Sequence, residues 1–455
     1  MIRLASWTLN LLYALLLIAA APWLAWQMIA QGKQRSGFAA KFFGQVPRRT
    51  SSQRCIWLHA VSVGEVNLLA PLIAELEQRF PKVQCVISTT TATGYEVALR
   101  KYAPRMVFYC PLDFSWAVRR ALARIRPDVL VLAELELWPN LMLLSRAAGA
   151  AVLVVNGRVS DKSFRGYLRA RRLVAPLLNQ VDRIAAQSDQ YAQRFIALGA
   201  QPTRVTTTGS IKFDGVRFDR SNPATRRLAE LAGLAADDVV VLAGSTGEPE
   251  EALAIAAFQQ LRPRHPQLKL IIVPRHPERF DVVARLLADS GIAFARRSEL
   301  DAAKGKGSSL PGALLVDTVG ELGAWWGTAD IAYVGGSLNR RGGQNMIEPA
   351  AYGAAVCFGP NTRNFRDIVA LLLNAEAAVV VRDGDELTQF VQRCLTDVEY
   401  RRNLAQRGQT LVRQQQGATG RTVDLLAEII EPNDAKHRQA PNLHKSTGQR
   451  ASTLG

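Results

Sequence analysis

From Cys55 to Leu72 the chain reads CIWLHAVSVGEVNLLAPL. The opening apolar run is too short for a helix and fits a buried strand. Gly64 permits a tight turn, and the leucines that follow recur at helical spacing. A buried strand, a turn and an amphipathic helix form the repeating unit of a parallel sheet covered by helices. Working outward, the same alternation recurs. In the first half VQCVISTT starts at Val83, MVFYC at Met106, DVLVLAE at Asp128, AVLVVNG at Ala151 and DRIAAQS at Asp182. In the second half DVVVLAGS starts at Asp238, LKLIIVPRH at Leu268, ALLVDT at Ala313, DIAYVGGS at Asp330, AAVCFGP at Ala354 and AAVVVRD at Ala377. Helical patterns such as Leu68 to Phe80 and Trp116 to Arg126 separate them. The polar, strand-poor stretch 213–223 is the best linker between two doubly wound α/β domains, expected at 34–212 and 224–431.

The 455 residues, 48% hydrophobic and 21% charged, exclude a disordered or fibrous chain and suit two domains with their own cores. Lys and Arg exceed Asp and Glu by 56 to 39, a formal charge of +17, so the surface attracts anions. Nucleic acid is not the expected partner, because no interleaved aromatic and basic motif is present. The five cysteines, Cys55, Cys85, Cys110, Cys357 and Cys394, lie far apart in apolar runs and read as reduced core residues. From Ala5 to Ala30 about 26 residues carry no charge, long enough to cross a hydrocarbon layer. Lys33, Arg35, Lys41, Arg48 and Arg49 crowd the C-terminal flank, which predicts a single anchor over 1–33 with the body on the cytoplasmic side. The last segment, 432–455, has too few large apolar side chains to order itself and reads as a disordered basic tail.

In doubly wound sheets ligands sit beyond the carboxyl ends of the strands, so the strand-to-helix turns hold the candidates. Glu65 opens a helix there and is placed to take a proton from a hydroxyl, yet Ser62 and Glu65 also have the spacing of a capping box. Glu134 and Glu136 lie two apart at the end of the strand from Asp128, unusual for a buried parallel strand. Lys212, in TGSIKFD, offers an ammonium near the end of the first half, and Arg275, after Pro274, a guanidinium fork for oxygen anions. In VGGSLNRRGGQNMIEPAAYG, from Val334, two glycine pairs precede a helix expected near Asn345. That combination suits an anion at a glycine-lined helix N-terminus, with Glu348 in the first turn. The segment is neither a P-loop nor GxGxxG, and neither HExxH nor GxSxG occurs, so metal and serine-hydrolase chemistry have no support.

Taken together, these segments resemble the Kdo transferases, which add 3-deoxy-D-manno-oct-2-ulosonic acid (Kdo) from CMP-Kdo to a lipid A precursor. The resemblance rests on SVGE at Ser62, ELELWPN at Glu134, AQSDQYAQRFIALGA at Ala186, TGSIKFD at Thr208, PRHPERF at Pro274, VDTVGELGAWWGTADIAYVGGS at Val316 and RGGQNMIEPAAYG at Arg341. It implies a GT-B fold of two Rossmann-like domains facing a cleft, and an inverting, metal-free and cofactor-free glycosyltransferase on the cytoplasmic face of the inner membrane. By that similarity Glu65 is the general base, and Glu134 and Lys212 stabilise the transition state. CMP-Kdo is held by Pro274 and Arg275, by Val319, Gly320 and Glu321, and by Asn345, Met346, Ile347 and Glu348. Gln344 and Gly247 stand where the family usually has His. The basic surface then faces anionic lipid headgroups and a phosphorylated acceptor. Two alternatives remain: a GT-B enzyme using another nucleotide sugar, and a membrane-anchored nucleotide-binding protein without turnover.

Overall fold

The run from Cys55 forms strand β1 (Arg54–His59), and Ser62 caps the helix Val63–Arg79 that follows. The computed structural model describes residues 2–31, 36–300 and 310–431. Six further strands complete the first sheet: β2 (Val83–Thr89), β3 (Val107–Tyr109), β4 (Val129–Ala133), β5 (Ala151–Gly157), β6 (Arg183–Ala186) and β7 (Val205–Thr207). The second sheet comprises β8 (Val239–Thr246), β9 (Leu268–Pro274), β10 (Phe294–Arg296), β11 (Ala313–Leu315), β12 (Ile331–Val334), β13 (Ala355–Phe358) and β14 (Ala378–Val380). All described pairings are parallel, in the orders β3-β2-β1-β4-β5-β6-β7 and β10-β11-β9-β8-β12-β13-β14. Every expected strand forms. The edge strands β7 and β10, three residues each, went unread because runs so short carry no measurable period.

Both faces of each sheet are covered. Along β1, Trp57 packs into one apolar cluster with Phe108, Leu130 and Val152, while Ile56 and Leu58 pack into another with Val66, Leu69 and Val131. Successive side chains of a strand point to opposite faces, so a strand buried twice reads as unbroken apolar sequence. Each such side chain contributes about 1.5–3 kcal/mol by leaving water. All five cysteines are buried and unpaired.

The chain divides into two compact units, Met1–Asp214 with the segment from Gly417, and Gly215–Gln416. The expected second domain therefore ends too late. The last helix, Ala418–Ile430, belongs to the first unit, where Val423, Leu426 and Ile430 join the cluster of Ile56 and Leu69. Asp214 holds its start by accepting hydrogen bonds from the amides of Gly417 and Thr419. The tail expected at 432–455 lies outside the described residues.

The expected membrane-spanning anchor is corrected. The segment forms a helix, Ile2–Gln31, but among the described residues no helix is long and apolar enough to cross a membrane. The physical reason lies in its polar stripe. Ser6 and Asn10 are buried against the first unit, and Asn10 exchanges hydrogen bonds with Ser115, side chain to side chain at 2.8 Å and amide to side chain at 2.9 Å. Tyr13 donates to Asp113 at 2.9 Å. These residues share one helix face, where the polar atoms of Asn10 and Tyr13 are hydrogen-bonded to the protein and the Ser6 hydroxyl is buried without a partner among the described residues. The other face leaves Leu11, Leu12, Leu15, Leu16 and Ile18 exposed.

Candidate functional site

In the first unit, β1 pairs with β4 so that His59 lies beside Leu132, and the two strand exits are neighbours at the point where the strand order reverses. At the β1 exit the capping box is present and involves the candidate base itself. The Glu65 amide donates to Ser62 Oγ at 3.3 Å, and its carboxylate accepts from the Ser62 hydroxyl and the Val61 amide, both at 2.8 Å. Burial raises the pKa of this carboxyl above its ordinary value against the pull of those bonds, and the nearby Glu134 charge adds to the rise. The two readings of S-x-x-E are therefore compatible: the cap aims the carboxylate, and desolvation makes it more basic.

β4 ends at Ala133, so Glu134 and Glu136 lie in the turn rather than on a strand face. Glu134 has φ +57°, a left-handed conformation rare outside glycine, held by its amide donating to the Val155 carbonyl at 2.9 Å. Its Oε1 is 3.0 Å from Lys212 Nζ, and both side chains keep about a quarter of their surface exposed. Lys212 sits on the short turn Ile211–Phe213, whose flanking side chains are buried. Asn156, at the end of β5, anchors that turn by accepting from the Ile211 amide at 3.0 Å and the Ser210 hydroxyl at 3.3 Å. Asn156 was missed in the sequence, although an amide inside the apolar run AVLVVNG was a readable signal. Glu136 is a second unassigned participant. Its carboxylate accepts from Trp138 Nε1 at 2.9 Å, and burial, then the charge of Glu65, push its pKa up to about 7. Three carboxylates and one ammonium thus meet at two adjacent strand exits. His59 beside them is fully buried, and burial drives its pKa down to about 4, so it is a neutral core group.

In the second unit, β8 and β12 are paired at the corresponding reversal of strand order. The glycine pair after β12 does receive an anion, but an internal one. The carboxylate of Glu250 accepts hydrogen bonds from the amides of Gly336 at 2.8 Å, Ser337 at 2.9 Å and Leu338 at 2.9 Å, from Tyr333 OH at 2.9 Å, and from the Gly247 amide at 3.0 Å. The next residue, Glu251, fully buried, holds Arg279 of the loop after β9 through two contacts at 2.9 and 3.2 Å. Pro274, the last residue of β9, is buried, and Arg275 directly after it is exposed, with its amide donating to the Thr246 carbonyl at 3.0 Å.

The helix expected near Asn345 is a single turn, Ile347–Ala351, too short to present much of a dipole. Met346 and Ile347 are buried, which leaves their backbone rather than their side chains for a ligand. Glu348 is held by Asn345 Nδ2 at 3.0 Å, and burial raises its pKa against that bond. A Cβ on Gly323, two residues beyond Glu321, would lie 3.6 Å from Glu348 Oε2, so the short helix that follows Val319–Glu321 approaches Glu348. Val319 is 76% exposed and Gly320 has φ +96°. Glu321 accepts two bonds from Arg297, at 2.9 and 2.7 Å, and one from Thr318 at 2.7 Å. Although burial works the other way, these bonds hold its carboxyl below the usual range. A side chain at Gly247 would meet the Arg341 guanidinium at 3.1 Å, so Arg341 fills that space here, and Gln344 packs against Gly336.

The 3-deoxy-D-manno-octulosonic-acid transferase (kdotransferase) family profile matches residues 31–215. The chain is 35% identical to 3-deoxy-D-manno-octulosonic acid transferase of Bordetella pertussis over 92% of this chain and 99% of that protein. It is 32% identical to the enzyme of the same name from Haemophilus influenzae, over 83% of this chain and 88% of that one. Among solved structures, a putative UDP-N-acetylglucosamine 2-epimerase from Listeria monocytogenes aligns with TM-score 0.57 at 12% identity, covering 84% of this chain and 98% of the other. A glycosyltransferase from Rickettsia africae aligns with TM-score 0.56 at 13% identity, covering 84% and 100%. These structural likenesses define the fold as α/β and GT-B-like, with two Rossmann-like parallel-sheet domains. The sequence identity, sustained over nearly the whole length of both relatives, places the chain in the 3-deoxy-D-manno-octulosonic acid transferase family of glycosyltransferases.

Proposed function

We propose that this protein transfers Kdo from CMP-Kdo to a phosphorylated lipid A precursor, with inversion at the anomeric carbon and without a metal ion. The observation that carries the proposal is Glu65, a capped carboxylate of raised basicity at a strand exit, beside the Glu134–Lys212 pair. In the reaction Glu65 removes the proton of the acceptor hydroxyl as its oxygen bonds to the anomeric carbon of Kdo. The bond from that carbon to the phosphate oxygen of CMP breaks, and its electron pair leaves on the phosphate. Glu134 and Lys212 balance charge at the reacting centre, the ammonium favouring the carboxylate of the sugar and the departing phosphate. In the second unit Arg275 and the backbone around Gly320 and Asn345 are the donor contacts, and Glu348 is placed to accept from ribose hydroxyls. Neutralisation by fixed cations and amides is what allows a nucleoside monophosphate to leave without a metal.

The protein works, on this reading, at the cytoplasmic face of the inner membrane. The exposed apolar face of the helix Ile2–Gln31, with Trp7 69% and Ile18 70% exposed, supports seating at the headgroup boundary. Flotation with anionic vesicles tests this, and Leu12→Asp with Leu16→Asp is expected to abolish it.

The deciding experiment is transfer of labelled Kdo from freshly generated CMP-Kdo to a lipid A precursor in the presence of EDTA. Transfer by the native chain, lost about a hundredfold or more in Glu65→Gln, is the expected result. CMP binding without transfer by the native chain would replace this reading with a binding protein.

A further inference from the structure

The Glu250 carboxylate is fully buried, yet among the described residues it makes no ion pair; its five partners there are four backbone amides and a phenol. Three of those amides, of Gly336, Ser337 and Leu338, are consecutive. Successive amides aimed at one point form a concave site for an anion such as phosphate. Gly336 enters that curve with φ +68°, and a Cβ at Gly335 would stand 2.9 Å from Glu250 Oε2, so both glycines serve the approach of this carboxylate. The nest is therefore filled from within the chain. Directly beside it Gly343 donates to the Gly336 carbonyl at 2.7 Å, which ties the clasped segment to the second glycine pair and so to Asn345–Glu348. Glu251, from the same helix start, holds Arg279 and with it the loop that carries Arg275.

We propose that Glu250 is a positioning residue for the donor: an internal anion that closes the Gly336–Leu338 nest, sets the loop bearing Asn345–Glu348, and leaves the phosphate of the donor to be bound elsewhere. With Glu251 it makes the start of the helix Glu250–Leu261 a common anchor for the two loops that hold the nucleotide sugar. The consequence for binding rests on the CMP-sugar reading above, while the clasp itself does not. Replacing the carboxylate by an amide puts an NH2 group against N–H donors, so the nest opens although the side chain keeps its shape.

The experiment compares the full native chain with Glu250→Gln, and with Tyr333→Phe as a milder variant that removes one of the five bonds. Hydrogen exchange reads the clasp and titration with CMP reads its consequence, with circular dichroism as the check of folding. Peptides spanning 335–348 are expected to exchange faster in folded Glu250→Gln, with the rest of the second unit unchanged. The dissociation constant for CMP is expected to rise about tenfold or more, and KM for the donor to rise with it while kcat changes less. Tyr333→Phe is expected to show the same pattern at about threefold, and it decides the matter if Glu250→Gln does not fold. Unchanged CMP affinity in a folded variant overturns the proposal, because a purely structural carboxylate would lower stability alone. If the native chain binds no CMP, the donor reading fails, and exchange at 335–348 alone decides the clasp: unchanged protection overturns it.

Discussion

Glu65 and Glu250 occupy matching places, each just after the first strand of its sheet and next to the strand where the order reverses, and they have opposite fates. Glu65 keeps part of its surface exposed, receives two hydrogen bonds from its own turn and faces another carboxylate, Glu134. Glu250 is completely buried and receives five, three of them from the exit of the neighbouring strand. The neighbouring exit makes the difference. After β4 it presents Glu134, whose charge adds to the rise in proton affinity that burial gives Glu65. After β12 it presents a curl of amides that satisfies Glu250 fully. On the proposed reading, the same residue type serves as a base where burial and then a like charge raise its proton affinity, and as a structural anion beside a nest.

The largest effect expected from breaking this contrast is in Glu65→Gln, where kcat should fall about a hundredfold or more with little change in melting temperature, since Gln still completes a capping box. Next comes the pair beside it. Lys212→Met should lower kcat roughly 10- to 100-fold, measured at saturating donor, by leaving Glu134 unpaired and the departing phosphate unneutralised. Asp113→Ala tests support rather than chemistry. This buried carboxylate accepts from the amides of Asn140 and Leu141, which open the helix directly after Glu134 and Glu136, as well as from Tyr13. Its loss should cost about 1–3 kcal/mol in a urea melt while CMP affinity stays the same. The smallest effect is a pH shift in Glu134→Gln. Glu65 must be ionised to act, and its raised pKa places the acid limb of the rate profile above the ordinary carboxylate range. Removing the negative charge of Glu134, which adds to the rise that burial causes, lowers that pKa, so the limb should move to lower pH. A shift to higher pH would break the electrostatic account.

Much of this was legible in the chain. Runs such as DVLVLAE and LKLIIVPRH could be read as strands because a strand buried on both faces must be apolar throughout. S-x-x-E announced the turn that carries Glu65, since a cap is a local interaction completed within four residues. The membrane segment was misread in part because polarity at Ser6, Asn10 and Tyr13 is diluted in a long apolar window. Only the docked helix shows that this face is turned to the protein, with Asn10 meeting Ser115 and Tyr13 meeting Asp113.

The sequence by itself determined the two doubly wound sheets, and it pointed to the strand exits, with Glu65, Glu134, Lys212 and Arg275, as the place of the proposed chemistry. The sheets follow from short-range periodicity, and the roles of the residues from the resemblance to the family. Only the tertiary structure decided that the glycine pair after β12 closes on Glu250, 86 positions earlier in the chain, instead of waiting for a ligand. It alone also joined Asn156 to the turn of Lys212 and returned the last helix to the first unit. The physical reason is common to all three. A backbone amide is present at almost every position and carries no signature in the sequence, so its partner is known only once the strands are side by side.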